Sequence, residues 1–421
     1  FKNRQGKFNA KFKLKNIFIS SIKFILIYFY LKLNTKKNNH IKKKMFELIV
    51  DDVDETTNYR KFLKLSNKFK TAYLTSFDSK SKKFFNLLNY KNLMLNDTTK
   101  LSFKVFFNLF FFTIIYSFKL RNNLFPFVED FYKNYFKYEN IFGQIISKYL
   151  IQDRHFNTNE IKNYLFKKHG GKYTTATQRN ILQFNGIGMF IFCDILFTLG
   201  KKSADDLRNY GGDVKTCVPV GSLAMEYNYY DMKKRKKNTL SSFDLLVFCS
   251  DHLSEMHSGY SSYYVDYYLH YEWIAKFAQK NPNVKIGLKM KRYIKDLKVK
   301  NIFSKLKNVK FIFMKDLSFA NSYYYGENAK VICTWSSTLA YEFFGDNKAC
   351  YFIDPGNRNI SFLPNKNFIK KFKLPNYSIF EKTVLRNIFI KNRSTTKYKD
   401  YFCMNSKTTS QRIAKYLLNL K

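Results

Sequence analysis

The sequence predicts an α/β fold built from two halves. Short apolar runs alternate with polar, helix-like segments from residue 45 to residue 222, and the alternation restarts at residue 243. Residues 223–242 between the halves are polar and basic, as in a linker. Alternating strands and helices are typical of mostly parallel sheets covered by helices. We therefore expect two Rossmann-like domains that face a cleft, with an amphipathic helix before the first.

The first half opens on "MFELIVDD", an apolar run that ends in acids, followed by a polar helical stretch and by "TAYLTSF". Strand, helix and strand within about 30 residues form one βαβ unit. Residues 78–138 predict mostly helix. A strand, "KYLIQDRH", then precedes the helix "NTNEIKNYLFKKHGGK", for which Asn157 or Thr158 is the expected N-cap. Further strands are predicted at "YTTATQ", "DILFTLG" and "VKTCVPVGS".

The second half contains five apolar runs that predict strands: "FDLLVFCSD", "VKIGLKMKR", "VKFIFM", "KVICTW" and "ACYFID". The chain is accordingly divided into a basic amphipathic segment (1–44), a first α/β domain (45–222), a linker (223–242), a second α/β domain (243–375) and a C-terminal helical tail (376–421).

The composition is strongly basic, with 74 Lys and Arg against 31 Asp and Glu and a formal net charge of +43. Abundant Lys, Asn, Ile, Phe and Tyr with few Gly and Pro are typical of an AT-rich genome, and the lysines are spread along the chain. We expect attraction to an anionic membrane surface and no specific nucleic acid partner. The alternative is a basic RNA- or ribosome-associated binding protein without enzymatic activity.

The apolar stretch over residues 17–33 carries one lysine in its middle and lysines on both flanks. A helix that lies in the membrane interface suits this pattern, and a single span or a buried helix remain open. A second apolar run, residues 105–118, predicts a buried or docking helix. The six cysteines include no CxxC pair and no zinc-like spacing, so a reducing, cytoplasmic compartment is expected, and no structural metal.

The stretch "TWSSTLAYE" joins a predicted strand to a predicted helix. A helix N-terminus offers backbone N–H groups and the positive end of its dipole, so it binds phosphate readily. Ser336, Ser337 and Thr338 add hydroxyl groups there. Glu342 lies about one turn into the helix, where its carboxylate would accept from ribose hydroxyls. A plain Ser/Thr N-cap with a favourably placed acid is the alternative.

Further candidates follow other strands, as ligands in open α/β sheets bind beyond the carboxyl ends of the strands. Asp153 and His155 in "QDRH" are acid/base candidates, against a structural Asp–Arg pair. His257 and Ser258 follow the first strand of the second half. Two cations in "KMKR", at the end of the strand "VKIGLKM", would counter a pyrophosphate: Lys289 and Arg292. The remaining candidates are Gly221 and Ser222, a Gly-Ser pair that brings backbone close to ligand.

Taken together, the "PVGS" exit, the "KMKR" strand end and the "SST…E" element resemble GT-B-type glycosyltransferases, most closely bacterial surface-polysaccharide transferases and the CDP-glycerol glycerophosphotransferase-like group. The resemblance covers roughly residues 145–355. It implies that the first domain holds the acceptor and the second the nucleotide donor. It also implies that Ser336, Ser337 and Thr338 meet donor phosphates, Glu342 the ribose, and Lys289 with Arg292 the pyrophosphate. A departure is "DDVDETTN", which stands where many such enzymes have a glycine-rich loop.

The resemblance implies a transferase of surface polysaccharide biosynthesis. We expect it to be metal-independent and to need no cofactor, because lysines and a helix N-terminus can relieve the charge on the leaving diphosphate without a metal. Its donor would be a nucleotide-sugar or a CDP-polyol, and its acceptor a glycan or a lipid-linked glycan. Asp153, His155 and His257 are the expected catalytic residues. The expected location is the cytoplasm, peripheral to or anchored in the inner membrane.

Overall fold

A computed structural model describes most of the chain. The described residues are 13–33, 36–37, 43–53, 59–75, 86–89, 93, 96–97, 103–179, 191–210, 213–231, 242–249, 261–290, 297–313, 320–335, 337–356, 373–389 and 399–420. Everything below concerns these residues.

The chain divides into two compact units. Unit 1 comprises residues 1–55, 69–176 and 191–195, and unit 2 comprises residues 56–68, 177–190 and 196–421. The five segments proposed from the sequence stay a prediction as functional domains.

The described strands are β1 (Lys36–Lys37), β2 (Lys44–Val53), β3 (Thr71–Thr75), β4 (Asn86–Asn89), β5 (Asn96–Asp97), β6 (Ile145–Gln152), β7 (Tyr173–Thr177), β8 (Phe192–Thr198), β9 (Asp213–Pro219), β10 (Leu245–Phe248), β11 (Ile286–Lys289), β12 (Val309–Ile312), β13 (Val331–Thr334), β14 (Ala349–Ile353) and β15 (Lys373–Leu374).

The described α-helices are α1 (Leu14–Leu33), α2 (Leu63–Ser66), α3 (Phe103–Lys119), α4 (Phe125–Gln144), α5 (Glu160–Lys168), α6 (Lys201–Tyr210), α7 (Leu223–Met225), α8 (Ser261–Lys280), α9 (Leu297–Phe303), α10 (Ala320–Asn328), α11 (Thr338–Gly345), α12 (Tyr377–Phe389), α13 (Lys399–Phe402) and α14 (Thr409–Leu418). Shorter 3₁₀ and π-helical segments are Tyr59–Phe62, His155–Asn157, Glu226–Asp231 and Ser406–Thr408.

Two large sheets carry the fold. The first has seven strands in the order β4-β3-β2-β6-β7-β8-β9, and the second has six in the order β12-β11-β10-β13-β14-β15. All strand pairs with a recorded register are parallel. For example, β2 pairs with β3 and β6, and β10 pairs with β11 and β13. The central strands β10, β11 and β13 of the second sheet are buried on both faces, which explains why they are mostly continuous apolar runs in the sequence. The predicted α/β class with two Rossmann-like sheets is confirmed.

Each unit buries its own apolar core. In unit 1, one cluster joins β2 and β6 to α4 and α5 through Ile49, Leu150, Phe142 and Phe166. A second cluster in unit 1 joins α1, α3 and α4. In unit 2, the core lies on the six-stranded sheet and includes the described parts of α8, α11 and α12.

Some elements differ from the sequence prediction. Residues 223–231, the first part of the predicted linker, form α7 and a π-helical segment and bury Met225, Tyr227 and Tyr229. Met225 and Tyr229 join the core of unit 2, although the stretch as a whole is polar. The N-cap of α5 is Asn159, whose side chain accepts from the amide of Lys162. The hydroxyl of Thr158, one of the expected caps, instead donates to the carbonyl of His155 at 3.0 Å.

Candidate functional sites at the carboxyl edges of the two sheets

The second sheet has a topological switch point between β10 and β13. From β10 the chain continues to β11 and β12 on one side, and β13 and β14 lie on the other. In open parallel sheets, ligands bind in the crevice beyond the carboxyl ends of the strands at such a point. The predicted donor-binding residues that are described lie in unit 2 at or near this edge.

The last residues of three neighbouring strands form a row across this edge. Lys289 of β11 lies opposite Phe248 of β10, which lies opposite Thr334 of β13. Residues opposite each other in register point to the same face of a sheet, so Lys289 and Thr334 share a face. The Thr334 hydroxyl donates to the Phe248 carbonyl at 2.7 Å and so ties β13 to β10 at the switch point.

Lys289 is a buried cation in this row. Its side chain is 4% exposed, and Nζ donates to the carbonyl of Met290 at 3.1 Å. Burial lowers the pKa of Lys289 to about 8, an effect that the Cys249 thiol partly opposes. The ammonium group therefore carries a charge at neutral pH that is poorly compensated by solvent, which is a favourable setting for an anionic ligand.

Three residues separate the end of β13 from the start of helix α11. Ser337 is its N-cap, and the Ser337 Oγ accepts from the amide of Leu339 at 3.3 Å. The amide of Ala340 donates to the Ser337 carbonyl at 3.2 Å. Two N–H groups of the first turn are thus already used, and the helix dipole and the Ser337 and Thr338 hydroxyls are what this end offers a phosphate.

Glu342 lies one turn further along α11 and is 4% exposed. One carboxylate oxygen accepts from the Ser222 hydroxyl, and the other accepts from the Tyr323 hydroxyl at 2.9 Å. Burial raises the pKa of Glu342 to about 7, although both hydroxyl donors and Lys61 oppose the rise. The structure therefore joins two predicted ligand-binding residues, Ser222 and Glu342, directly to each other. A ribose contact by Glu342 stays a prediction.

Gly221 and Ser222 contact the C-terminal segment of unit 2. Gly221 has a φ of +96°, and a Cβ on it would lie 2.8 Å from Thr409 Oγ1 and 2.9 Å from the Met404 carbonyl. The Ser222 amide donates to the Ser406 hydroxyl at 3.0 Å, and Ser222 Oγ also caps α7. We expected the backbone of this pair to come close to a ligand. In the structure it comes close to Thr409, Met404 and Ser406 of the same chain. Ligand contacts by Gly221 and Ser222 stay a prediction.

The first sheet has its own switch point between β2 and β6. Asp153 follows β6 directly, is fully buried, and its amide donates to the carbonyl of Asp51 at 3.3 Å. His155, two residues on, is 3% exposed, and burial lowers the pKa of His155 to about 4. Its imidazole is therefore neutral at neutral pH and has a lone pair to accept a proton, although a pKa this low makes it a weak base. The structure brings these two predicted residues to the edge where a ligand would bind, and their catalytic role stays a prediction.

A buried ion pair that the sequence analysis did not single out lies at the same edge. Lys162 Nζ of α5 lies 2.7 Å from Asp51 Oδ2 of β2, and both side chains are at most 1% exposed. Asp51 is opposite Gln152 in register, and Gln152 Nε2 donates to Asn163 Oδ1 at 3.1 Å. The acids of "MFELIVDD", at the end of an apolar strand, are the sequence signal for Asp51. Lys162 gives none because lysine is abundant along the whole chain.

Four predicted site residues lie outside the described residues: His257, Ser258, Arg292 and Ser336. Among the residues that are described, no group of three or more His, Cys, Asp or Glu is placed to hold a metal ion. Metal independence stays a prediction. Helix α1 is long and apolar enough to cross a membrane, by length and composition alone, and it is the only helix of the described part with this property.

No protein-family model and no curated protein matches the sequence. Solved structures do match its fold. The UDP-GlcNAc 2-epimerase from Neisseria meningitidis bound to UDP-GlcNAc is 9% identical with a TM-score of 0.51, over 90% of this chain and 100% of that chain. The UDP-GlcNAc 2-epimerase from Methanocaldococcus jannaschii is 13% identical with a TM-score of 0.51, over 89% and 99%. The S. aureus MnaA–UDP co-structure is 12% identical with a TM-score of 0.50, over 90% and 98%.

These comparisons agree with the two sheets described above. The chain has a GT-B-type fold, as the resemblance in its sequence implied. At such low identity the likeness concerns the fold, and function has to be argued from the site.

Proposed function

We propose that the chain is a transferase that moves a sugar, or a polyol phosphate, from a nucleotide-activated donor onto a glycan acceptor in surface polysaccharide biosynthesis. The observation that carries the proposal is the switch point of the second sheet. There, a helix N-terminus capped by Ser337 follows β13, and a buried lysine, Lys289, ends β11. The similar structures that contain UDP or UDP-GlcNAc support a nucleoside diphosphate as the bound group.

The chemistry needs a base for the acceptor hydroxyl and charge relief for the leaving group. The acceptor oxygen attacks the transferred group, its proton passes to a base, and the bond to the leaving group breaks with the electron pair going to that group. The leaving group is a nucleoside diphosphate when a sugar is transferred, and CMP when the polyol phosphate of a CDP-polyol is transferred. Lys289 and the dipole of α11 would relieve the charge on that leaving group. Asp153 or His155 would take the proton of the acceptor hydroxyl. His155 can accept it because its imidazole is neutral at neutral pH.

The Asp51–Lys162 pair would position this machinery without contacting the acceptor. Lys162 fixes the Asp51 side chain, and the Asp51 carbonyl accepts from the Asp153 amide. The pair therefore holds the turn that leaves β6 against the end of β2. The proposed location is the cytoplasmic membrane surface, with α1 in the interface.

Nucleotide binding is tested by a thermal-shift screen of the full chain against UDP, CDP, GDP and CMP, since a ligand that binds only the native state raises the melting temperature. Calorimetry then compares Ser337→Ala with Asn159→Ala, which removes the N-cap of α5. Each variant should lose about 1 kcal/mol of stability. Only Ser337→Ala should lower nucleotide affinity, by roughly threefold to tenfold. Equal affinity in the two variants would place the phosphate elsewhere.

Turnover separates transfer from the alternatives. With a nucleotide-sugar and a glycan acceptor, transfer releases nucleoside diphosphate and consumes acceptor, whereas epimerisation leaves the nucleotide-sugar intact as an isomer. Asp153→Asn should lower transfer at unchanged nucleotide affinity. Salt-dependent retention on RNA without any nucleotide response would favour the RNA- or ribosome-associated binding protein.

A further inference from the structure

Helices α1 and α3 expose an unusual amount of apolar surface. Most of the exposed large apolar side chains among the described residues lie on α1, on α3 and on the first half of α4. The others are scattered singly, as is normal for a protein surface. A contiguous apolar region of this kind marks an interaction site.

The exposed side chains form a stripe along each helix. On α1 the stripe is Phe18, Ile22, Leu26, Phe29 and Leu33, each 44–83% exposed. The spacing of four, four, three and four residues keeps these side chains on one face. The opposite face carries Ile17, Phe24 and Tyr28, all buried. Helix α1 is therefore apolar on both faces, and the described residues cover only one of them.

Helix α3 repeats the arrangement. Phe107, Phe111, Ile115 and Phe118 follow one another at four, four and three residues and are 45–55% exposed. The buried Phe106 is on the inner face. The sequence suggested a buried or docking helix here, and the structure leaves the docking face without a covering element among the described residues.

The two helices are held side by side in unit 1. The Phe106 ring stacks on Phe24 and Tyr28 of α1, with ring centroids 5.1 and 4.2 Å apart. Both helices also pack on α4 through Phe125 and Tyr132. The Lys23 ammonium lies 3.0 Å from the Glu129 carboxylate of α4. Because these contacts fix α1 along its length, it can lie on a bilayer with its outer face while its inner face stays on the protein.

Charge identifies the kind of surface that would cover these faces. Neither α1 nor α3 contains an Asp or Glu, and their basic residues are all lysines: Lys15, Lys23 and Lys32 on α1, and Lys104 and Lys119 on α3. Lysine stems lie along apolar surface while their ammonium groups reach polar surroundings. Aromatic rings and lysines together are what the boundary between headgroups and acyl chains accepts, and anionic lipids attract the lysines.

We propose that the outer faces of α1 and α3 form one surface that lies in the interface of an anionic lipid bilayer. This inference rests on the proposed membrane location and deepens it by adding α3. It is independent of the donor chemistry.

The test is flotation of the full chain with vesicles of phosphatidylglycerol and phosphatidylcholine, against vesicles of phosphatidylcholine alone. The variant Phe111→Ser/Ile115→Ser changes only α3. Its matched control, Leu297→Ser/Ile379→Ser, removes two exposed apolar side chains elsewhere, 72% and 43% exposed. We expect the α3 variant to lower the partition coefficient at least tenfold, the control to stay within twofold, and neutral vesicles to bind the wild-type chain at least tenfold more weakly.

Several results would overturn the proposal: an α3 variant that binds like the wild-type chain, equal binding to neutral and anionic vesicles, or a lipid-free dimer by light scattering that the α3 variant dissociates. If that variant does not fold, Phe112→Ser/Phe118→Ser, on exposed positions of the same helix, replaces it. The nucleotide-induced rise in melting temperature is measured on the same samples. Its absence with intact vesicle binding would reject the proposed transferase and leave the membrane surface standing.

Discussion

Lys289 and Glu342 show how burial at one sheet edge sets the charge of individual side chains. Burial lowers the pKa of the lysine to about 8 and raises the pKa of the carboxyl group to about 7. Both shifts follow from the cost of a charge in a poorly solvated place. Each shift predicts a measurable pH dependence. For Lys289 the quantity that changes with pH is nucleotide affinity, and for Glu342 it is folding stability.

For Lys289 the observable is nucleotide affinity. An anionic phosphate favours the ammonium form, so affinity should be full below pH 8 and should fall as the pH rises through that value. Calorimetric titrations from pH 6.5 to pH 9.5, with the nucleoside diphosphate that gives the largest thermal shift, measure this. Lys289→Met should bind more weakly at pH 7 and lose the slope near pH 8. An unchanged slope in the variant would assign the titration to another group.

For Glu342 the observable is folding stability. Its folded pKa lies above the ordinary 4.5, so the native protein holds the proton more tightly than the unfolded chain, and stability falls as the pH rises from 4.5 to about 7. The full effect is about 3 kcal/mol at most. Glu342→Gln should remove this loss.

Urea denaturation of the wild-type chain and of Glu342→Gln, each at pH 5 and pH 8, checks this effect. The quantity compared is the change in the free energy of unfolding between the two pH values. The contribution of His155 is the same in both proteins and drops out when they are compared. That contribution has the opposite sign, because burial lowers the pKa of His155 and stability is lost as the pH falls from 6.5 to about 4. A wild-type-like pH profile in Glu342→Gln would mean that the carboxyl group titrates normally.

At the scale of elements, the exit of β9 is fitted to the C-terminal segment. Gly221 adopts a left-handed φ and leaves no room for a Cβ beside Thr409 and Met404. Glu226, seven residues from the end of β9, accepts from the amide of Ser410 at 2.8 Å and pairs with Lys64 at 3.1 Å. These contacts attach α14 to the body of unit 2.

Gly170 provides a control for Gly221. Its φ is +95°, nearly the same, but nothing lies within 4 Å of the position of its Cβ. Gly170→Ala should cost about 1 kcal/mol for the backbone alone. Gly221→Ala should cost a further 1–3 kcal/mol, roughly, because overpacking is added. Urea denaturation measures both variants. Equal losses would mean that the C-terminal segment yields to the added methyl group.

At the scale of the whole molecule, each unit has its own core, and the six-stranded sheet lies entirely in unit 2. A nucleoside diphosphate that binds at the switch point of the second sheet should therefore protect unit 2 from hydrogen exchange, and the segments around β13 and α11 most. At a ligand concentration 100 times the dissociation constant, the stabilisation is about 2.7 kcal/mol. Hydrogen exchange with and without nucleotide measures it. Protection confined to β6 and α5 would assign the nucleotide to unit 1.

The sequence by itself determined the fold class because apolar runs and their spacing are local properties. The β10, β11, β13 and β14 runs each read as buried strands, and the alternation with helices predicted parallel sheets. The same logic located Asp153, Ser337 and Lys289 at strand ends or helix starts, where ligands bind in such folds.

Only the tertiary structure decided which of these residues meet one another. Ser222 and Glu342 are 120 residues apart and share a hydrogen bond, and Lys162 pairs with Asp51 across 111 residues. No local pattern encodes such pairs, because they depend on which strands become neighbours and how helices pack on them. Likewise α1 and α3 read only as apolar helices. The contacts of Phe24 and Tyr28 with Phe106 decide which face of each helix is buried. Only the folded chain therefore shows which faces the described residues leave exposed.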